Sequence, residues 1–284
     1  MIRIFAVVAG LFLSGWLLVS FLMGLTSFVS DPPQPTVEHE FHLKPKPVSF
    51  ASDGPLGKFD RQQLQRGFQV FKEVCSACHS LRLVAFRNLE DIGYNEDEVK
   101  AIAANWAIET PDINPETGEP MTRPSLPADK FPMPFANDAA ARAANNNAIP
   151  PDLSLITKAR EGGAPYVYSL LTGYREPPAN LPEANRPSAG LHYNPYFANL
   201  NLAMAAPIAL DDQVAYADGT KATIDQMSKD VTAFLVWTAE PTLEERHSTG
   251  WAVIAFLLIA TILAYLSFQT IWADVKTEKK AKPA

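Results

Sequence analysis

Cysteine is scarce in this sequence. Its 284 residues hold two, Cys75 and Cys78. That excludes a fold stapled by several disulfides and leaves a metal, redox or cofactor-attachment role for the pair. Strand signals are few and short, and no internal repeat occurs, which excludes sandwich, barrel and solenoid architectures. Positive charge is also short: the formal net charge is −7, so no nucleic acid partner is expected. The deficit lies in the middle, where Asp31 to Arg246 carries 19 basic against 29 acidic side chains, a net charge of −10. What the chain has in quantity is proline, 24 residues of it, a sign of long, ordered loops.

Two stretches lack charge altogether. Between Arg3 and Asp31 runs IFAVVAGLFLSGWLLVSFLMGL, long enough to cross a bilayer, which takes roughly 20 apolar residues as a helix. A basic residue ahead of an apolar core also fits a signal peptide, and no clear A-x-A site precedes Asp31, so signal peptide and N-terminal membrane anchor both stand for residues 1–30. The second stretch runs from Ser248 to Ala273, with Trp251 and Trp272 near its ends as an aromatic belt would place them. Lys276, Lys279, Lys280 and Lys282 come after it and mark a cytoplasmic C-terminal tail; Arg246 and His247 are a weaker opposing signal. Residues 31–246 are then expected outside. The organisation expected is a leader or anchor (1–30), an extended Pro-rich strap (31–58), a folded domain (59–246), a transmembrane helix (247–273) and a basic tail (274–284).

Within the domain, apolar spacing predicts helices over Asp60–Val74, Glu96–Ala107, Asn137–Asn146 and Thr223–Ala239. A further helix is expected in PDLSLITKARE with Pro151 at its first position, and another in APYVYSLLTGY, stopped by Gly173. The class is mainly α with long loops. His39 and His42 lie in the strap without a further ligand nearby and read as solvated side chains.

Residues 75–79 read Cys-Ser-Ala-Cys-His. C-x-x-C-H is the attachment signature of a c-type haem. Thiols at i and i+3 leave one side of a helical turn, where they can bond the two vinyl groups, and His79 comes next with its imidazole aimed at the iron. A thioredoxin-type site would want a strand before the motif, and a structural zinc would need four ligands. One haem c, held through Cys75 and Cys78, is the cofactor expected. A haem that only carries electrons is closed on both faces, and Met opposite His favours ferrous iron. Met121, Met133, Met204, Met227 and His192 are candidates for the sixth ligand. Met204 is favoured over Met133, because it lies in an apolar, Pro-bounded loop just before the last helix of the domain.

Beyond the motif, several blocks resemble the cytochrome c1 family, the haem subunit of the cytochrome bc1 complex (ubiquinol:cytochrome c oxidoreductase), in its bacterial type. They are RGFQVFKEVCSACHSL, AARAANN with IPPDLS, AREGGAPYVYSLLTGY, YNPYFANLNLAMAAP, and DGTKAT leading to DVTAFLVWTAEP. The resemblance implies a class I cytochrome c-like haem domain with His79 and Met204 as axial metal ligands. It places Asn145, Pro150, Pro151, Ile156, Tyr166, Leu170, Leu171, Phe197 and Pro207 around the haem, and Arg160 at a haem propionate. Some bacterial members carry an extra disulfide in this domain, which two cysteines cannot supply. The implied role is electron transfer from the Rieske iron-sulfur protein to a soluble or tethered cytochrome c, beside cytochrome b in a dimeric complex. The chain would be a redox subunit, not an enzyme on its own. It would sit in the bacterial inner membrane as a single-pass or two-pass protein, with the haem domain periplasmic. The acidic clusters Glu96-Asp97-Glu98 and Asp211-Asp212 would steer a basic cytochrome c. An anchored cytochrome serving a terminal oxidase is the alternative.

Overall fold

The computed structural model describes residues 2–32 and 34–281, with side chains through residue 273. It is mainly helical, as the pattern predicts. Helix α1 (Ile2–Ser30) buries no residue, and α9 (Leu243–Ala281) is a single helix that carries the second apolar stretch. Both are long and apolar enough to cross a membrane, each with a mean hydropathy of 2.3. Between Ile4 and Ser30 and between Ser248 and Ala273 the helices expose large apolar side chains and carry no Asp, Glu, Lys or Arg, as a helix facing lipid would. The Lys276, Lys279 and Lys280 side chains and all of Lys282 lie outside the described residues.

The strap is not wholly extended. Thr36 caps a short helix α2 (Val37–Phe41) by accepting from the His39 N–H, and Val37 and Phe41 pack on Leu181, Tyr193 and Leu200. His39 and His42 are exposed.

Two helices build the floor of the domain. Asp60 caps α3 (Arg61–Val70) by accepting from the Gln62 and Gln63 N–H groups. Thr223 caps α8 (Ile224–Ala239) in the same way at Gln226. They cross at Gly67, where an added Cβ would lie 2.0 Å from the Asp230 carbonyl oxygen and 2.7 Å from Phe234 Cβ. Only glycine allows that approach. Beside the crossing Asp230 is fully buried and satisfied, accepting from Gln63 Nε2, Arg66 Nε and Gln226 Nε2 at 3.1, 2.9 and 2.8 Å, as a buried charge must be. Phe68, Phe71, Phe86, Trp106, Phe131 and Phe234 fill the core above, with ring centres as close as 4.3 Å between Phe86 and Phe131.

The other elements surround this floor. Helix α4 (Glu96–Ala104) opens with a reciprocal Asn95–Glu98 cap and ends three residues before the predicted Ala107, because Trp106 turns into the core. Hairpin β1 (Thr110–Ile113) and β2 (Pro120–Arg123) is antiparallel. Helices α5 (Asp138–Ala144), α6 (Ile156–Ala159) and α7 (Gly163–Leu171) come next, then the two-residue strands β3 (His192–Tyr193) and β4 (Asn201–Leu202). The helix expected from Pro151 forms only from Ile156. Residues 151–155 stay irregular because Pro151, Asp152 and Ser154 place polar groups against His79, Ser80, Arg82 and Leu83 rather than in a helical ladder.

The start of α9 is tied to the domain. Glu240 accepts from Lys158 and Arg246, Glu244 accepts from the Phe59 N–H and Arg61, and His247 Nδ1 lies 3.3 Å from the Gly57 carbonyl.

Candidate haem-attachment site

Helix α3 does not run regularly into the motif. Its last turn, Phe71–Cys75, is π-wound, with the Ser76 N–H bonded to the Phe71 carbonyl at 2.8 Å. A π-turn inserts one residue and re-aims the side chains beyond it, a common device at functional sites. The adjoining turn is α-like: the His79 N–H reaches the Cys75 carbonyl at 2.9 Å. Cys75 and Cys78 are therefore neighbours on one side of the turn. Both are free thiols, Cys75 half-buried and Cys78 exposed. Burial, and Cys78 beside it, push the Cys75 thiol up to about 12.

The imidazole of His79 is oriented by one bond. Its Nδ1 lies 2.8 Å from the Pro151 carbonyl oxygen. A carbonyl can only accept, so Nδ1 carries the proton and Nε2 presents its lone pair. Burial holds the pKa of His79 down, against the pull of that carbonyl and of Asp152. The ring is thus the neutral imidazole that a metal requires.

The strand of chain that supplies Pro151 is clamped to the motif. Asp152 accepts from Ser80 Oγ at 2.7 Å, from the Arg82 N–H at 2.9 Å and from the nearby Ser154 N–H at 3.0 Å. The Leu153 N–H donates to the Ser80 carbonyl, and the Leu83 N–H to Ser154 Oγ. Burial raises the Asp152 carboxyl, but these bonds outweigh it and leave the pKa below the usual range. Asp152 has no signature of its own in the sequence; its partners on the motif lie 70 and 72 residues away.

The structure scatters the remaining residues singled out from the sequence over several elements. Pro150 borders a cavity of about 40 Å³ beside Cys78, together with Met133, Phe135 and Ile149. Asn145 ends α5 and donates to the Ala141 carbonyl. Ile156 is buried at the start of α6. Tyr166, Leu170 and Leu171 on α7, Phe197 before β4 and Pro207 after it are each half-buried. Arg160 is exposed, its guanidinium donating to the Ala159 carbonyl, and its charge is felt at Tyr166.

The sixth-ligand candidates separate clearly. Met227 is fully buried in the core of α8, Met133 is 57% exposed and Met121 lies on the hairpin. His192 is exposed on β3. Met204 is half-buried, two residues beyond β4, and its carbonyl accepts from Tyr174 Oη at 3.0 Å. No group of three or more His, Cys, Asp or Glu suited to a metal ion occurs among the described residues. Two free thiols on one face of a turn and an oriented neutral imidazole fit covalent haem, and not a four-ligand zinc site.

Comparison with known proteins agrees. The profile of the Cytochrome C1 family matches residues 50–275. Cytochrome c1 of Rhodospirillum rubrum is 47% identical over 236 residues, 78% of this chain and 85% of that one. The mitochondrial haem protein cytochrome c1 1 of Arabidopsis thaliana is 44% identical over 257 residues, 90% of this chain and 80% of that one. Cytochrome b/c1 of Bradyrhizobium diazoefficiens is 44% identical over 252 residues, 81% of this chain and 36% of that longer protein.

Proposed function

The chain belongs to the cytochrome c1 family, and on that premise we propose that it is the haem-bearing electron-transfer subunit of a quinol:cytochrome c oxidoreductase of the bc1 type. The observation that carries the reading is the bond from His79 Nδ1 to the Pro151 carbonyl at the end of Cys-Ser-Ala-Cys-His. It leaves Nε2 free, on a neutral ring, beside two unpaired thiols.

The haem supplies a one-electron iron couple when bound. Cys75 and Cys78 would hold it by thioether bonds, so that it is not lost to solvent. His79 would bind the iron through Nε2, its ring kept from rotating by the bond to Pro151. Met204 would bind it through its thioether, which favours the ferrous state. Tyr166, Leu170, Leu171, Ile156, Phe197, Pro150, Pro151, Pro207 and Asn145 exclude water, which keeps reorganisation small. Arg160, already exposed and free of any carboxylate among the described residues, offers its guanidinium to a propionate. No residue has to move a proton.

The partners proposed are the Rieske protein as donor, a cytochrome c as acceptor and cytochrome b as neighbour. A relative that carries the name cytochrome b/c1 on one chain supports the last. The domain of residues 59–246 stands outside the cytoplasm, between the strap 31–58 and the span 247–273, with the tail 274–284 inside. A reduced-minus-oxidised spectrum of the detergent-solubilised protein tests the core of this reading, with carbon monoxide added to wild type and Met204→Leu. The expected outcome is a c-type α-band, indifference to carbon monoxide in wild type, and carbon monoxide binding in the variant. Wild type that binds the gas as readily as the variant overturns it.

A further inference from the structure

Met204 lies outside helix and strand, two residues past β4, so its main chain must be held by something else. The bond from Tyr174 Oη to its carbonyl does this. Tyr174 is half-buried, and since a carbonyl can only accept, its hydroxyl is the donor. It stands just past the end of α7, on a turn with no freedom. A Cβ on Gly173 would lie 2.4 Å from Tyr196 Cδ2, 2.6 Å from the Ser169 carbonyl and 2.8 Å from Asn194 Oδ1. Asn194 Nδ2 in turn donates to the Leu170 carbonyl at 2.8 Å.

The strap closes the same turn from the other side. Lys46 Nζ donates to the Thr172 carbonyl at 3.0 Å and to Thr172 Oγ1 at 2.7 Å, and the Lys46 N–H donates to Ser169 Oγ at 2.7 Å. Its ammonium lies 5.4 Å from the centre of the Tyr196 ring. The Thr172 carbonyl is an orphan acceptor at a helix C-terminus, where a lysine is the natural complement.

We propose that Tyr174 is a positioning residue for the Met204 thioether, and that Lys46 of the strap holds the turn from which Tyr174 reaches it. This rests on Met204 being the sixth ligand. The strap thereby acts on Met204 through the turn, by way of Lys46 and Tyr174. Loss of one such hydrogen bond raises the population with the thioether detached about five-fold.

The test uses the full, haem-loaded protein in detergent, as Tyr174→Phe, Lys46→Met, Lys46→Arg and Met204→Leu. The readouts are the sulfur-to-iron charge-transfer band of the ferric form, carbon monoxide binding by the ferrous form, and circular dichroism for folding. Met204→Leu is expected to lose the band. Tyr174→Phe should keep its helix content, weaken the band and bind carbon monoxide about five-fold more readily. Lys46→Met should move the same way by less, and Lys46→Arg should restore the wild-type band. If Tyr174→Phe does not accumulate, Lys46→Met carries the test alone. Should Met204→Leu keep the band, the ligand assignment is wrong and the proposal falls with it. A lost band in Met204→Leu, with wild-type behaviour in Tyr174→Phe and Lys46→Met, keeps the ligand and overturns the positioning role.

Discussion

His79 and Met204 stand on different ground. The turn that carries His79 grows out of α3; Phe71 at its root belongs to the main core around Phe68, Phe131 and Phe234, and Val74 and Cys75 pack against it. The loop leading to Met204 rests on a separate small cluster of Leu181, Tyr193 and Leu200, closed by Val37 and Phe41 from the strap. The first region therefore shares the cooperativity of the whole domain. The second leans on hydrogen bonds between loops, among them Tyr174 to Met204, Asn194 Nδ2 to the Leu170 carbonyl, Asn201 Nδ2 to the Asn185 carbonyl, and the Leu43 N–H to the Pro195 carbonyl. Small clusters with few buried contacts open locally at lower free energy than a core. The histidine side is built for permanence, the methionine side for adjustment.

The comparison breaks most visibly at the floor of the histidine side. Gly67→Ala forces a Cβ into the Asp230 main chain and should cost about 3 kcal/mol by overpacking, lowering the thermal midpoint of the whole domain by roughly 9 °C. A wild-type melting curve would mean that α3 and α8 do not share one transition. Next is the clamp on the motif. Asp152→Ala leaves the Ser80, Arg82 and Ser154 donors without their acceptor, a loss of about 2 kcal/mol, also read as a drop in melting temperature.

On the methionine side the same chemistry should have only a local effect. Leu200 is fully buried, and truncating a buried leucine costs about 2–5 kcal/mol. In Leu200→Ala, amide exchange should accelerate across residues 181–202 while α3 and α8 keep their protection and the midpoint barely moves. A midpoint shift as large as that of Gly67→Ala would erase the distinction between the two regions. The smallest effect concerns neither side but the membrane junction. Burial pushes Glu240 up, while the bonds from Lys158 and Arg246 outweigh it and hold its pKa below the usual range. Its stabilisation is present above the ordinary glutamate value, ~4.3, and is lost as pH falls through the depressed one. Opening of residues 243–247, measured by exchange corrected for intrinsic rates, should rise only below about pH 4. Glu240→Gln should remove that dependence.

Parts of this molecule are legible in the chain because their cause is local. Asp60, Asn137 and Thr223 cap helices since a short polar side chain meets N–H groups two or three residues on. Cys75, Cys78 and His79 are brought together by one turn of backbone, and an uninterrupted apolar stretch needs no partner to be recognised. Gly173 is a different case. Its place after α7 resembles a stop signal, yet its φ is not among the positive ones; it is glycine because Tyr196 and Asn194 lie against it.

The sequence by itself determined the cofactor chemistry, the helix-rich class and the two membrane-length segments. Each comes from residue types at fixed short spacing. Only the tertiary structure decided which imidazole nitrogen of His79 is bonded and which is left open, why Pro151 and Asp152 stay out of the helix that their sequence pattern starts, and how the strap reaches the turn behind Met204. Those outcomes depend on hydrogen bonds between residues that are 30 to 126 positions apart. Chain spacing carries no trace of such a bond until packing brings its donor and acceptor together.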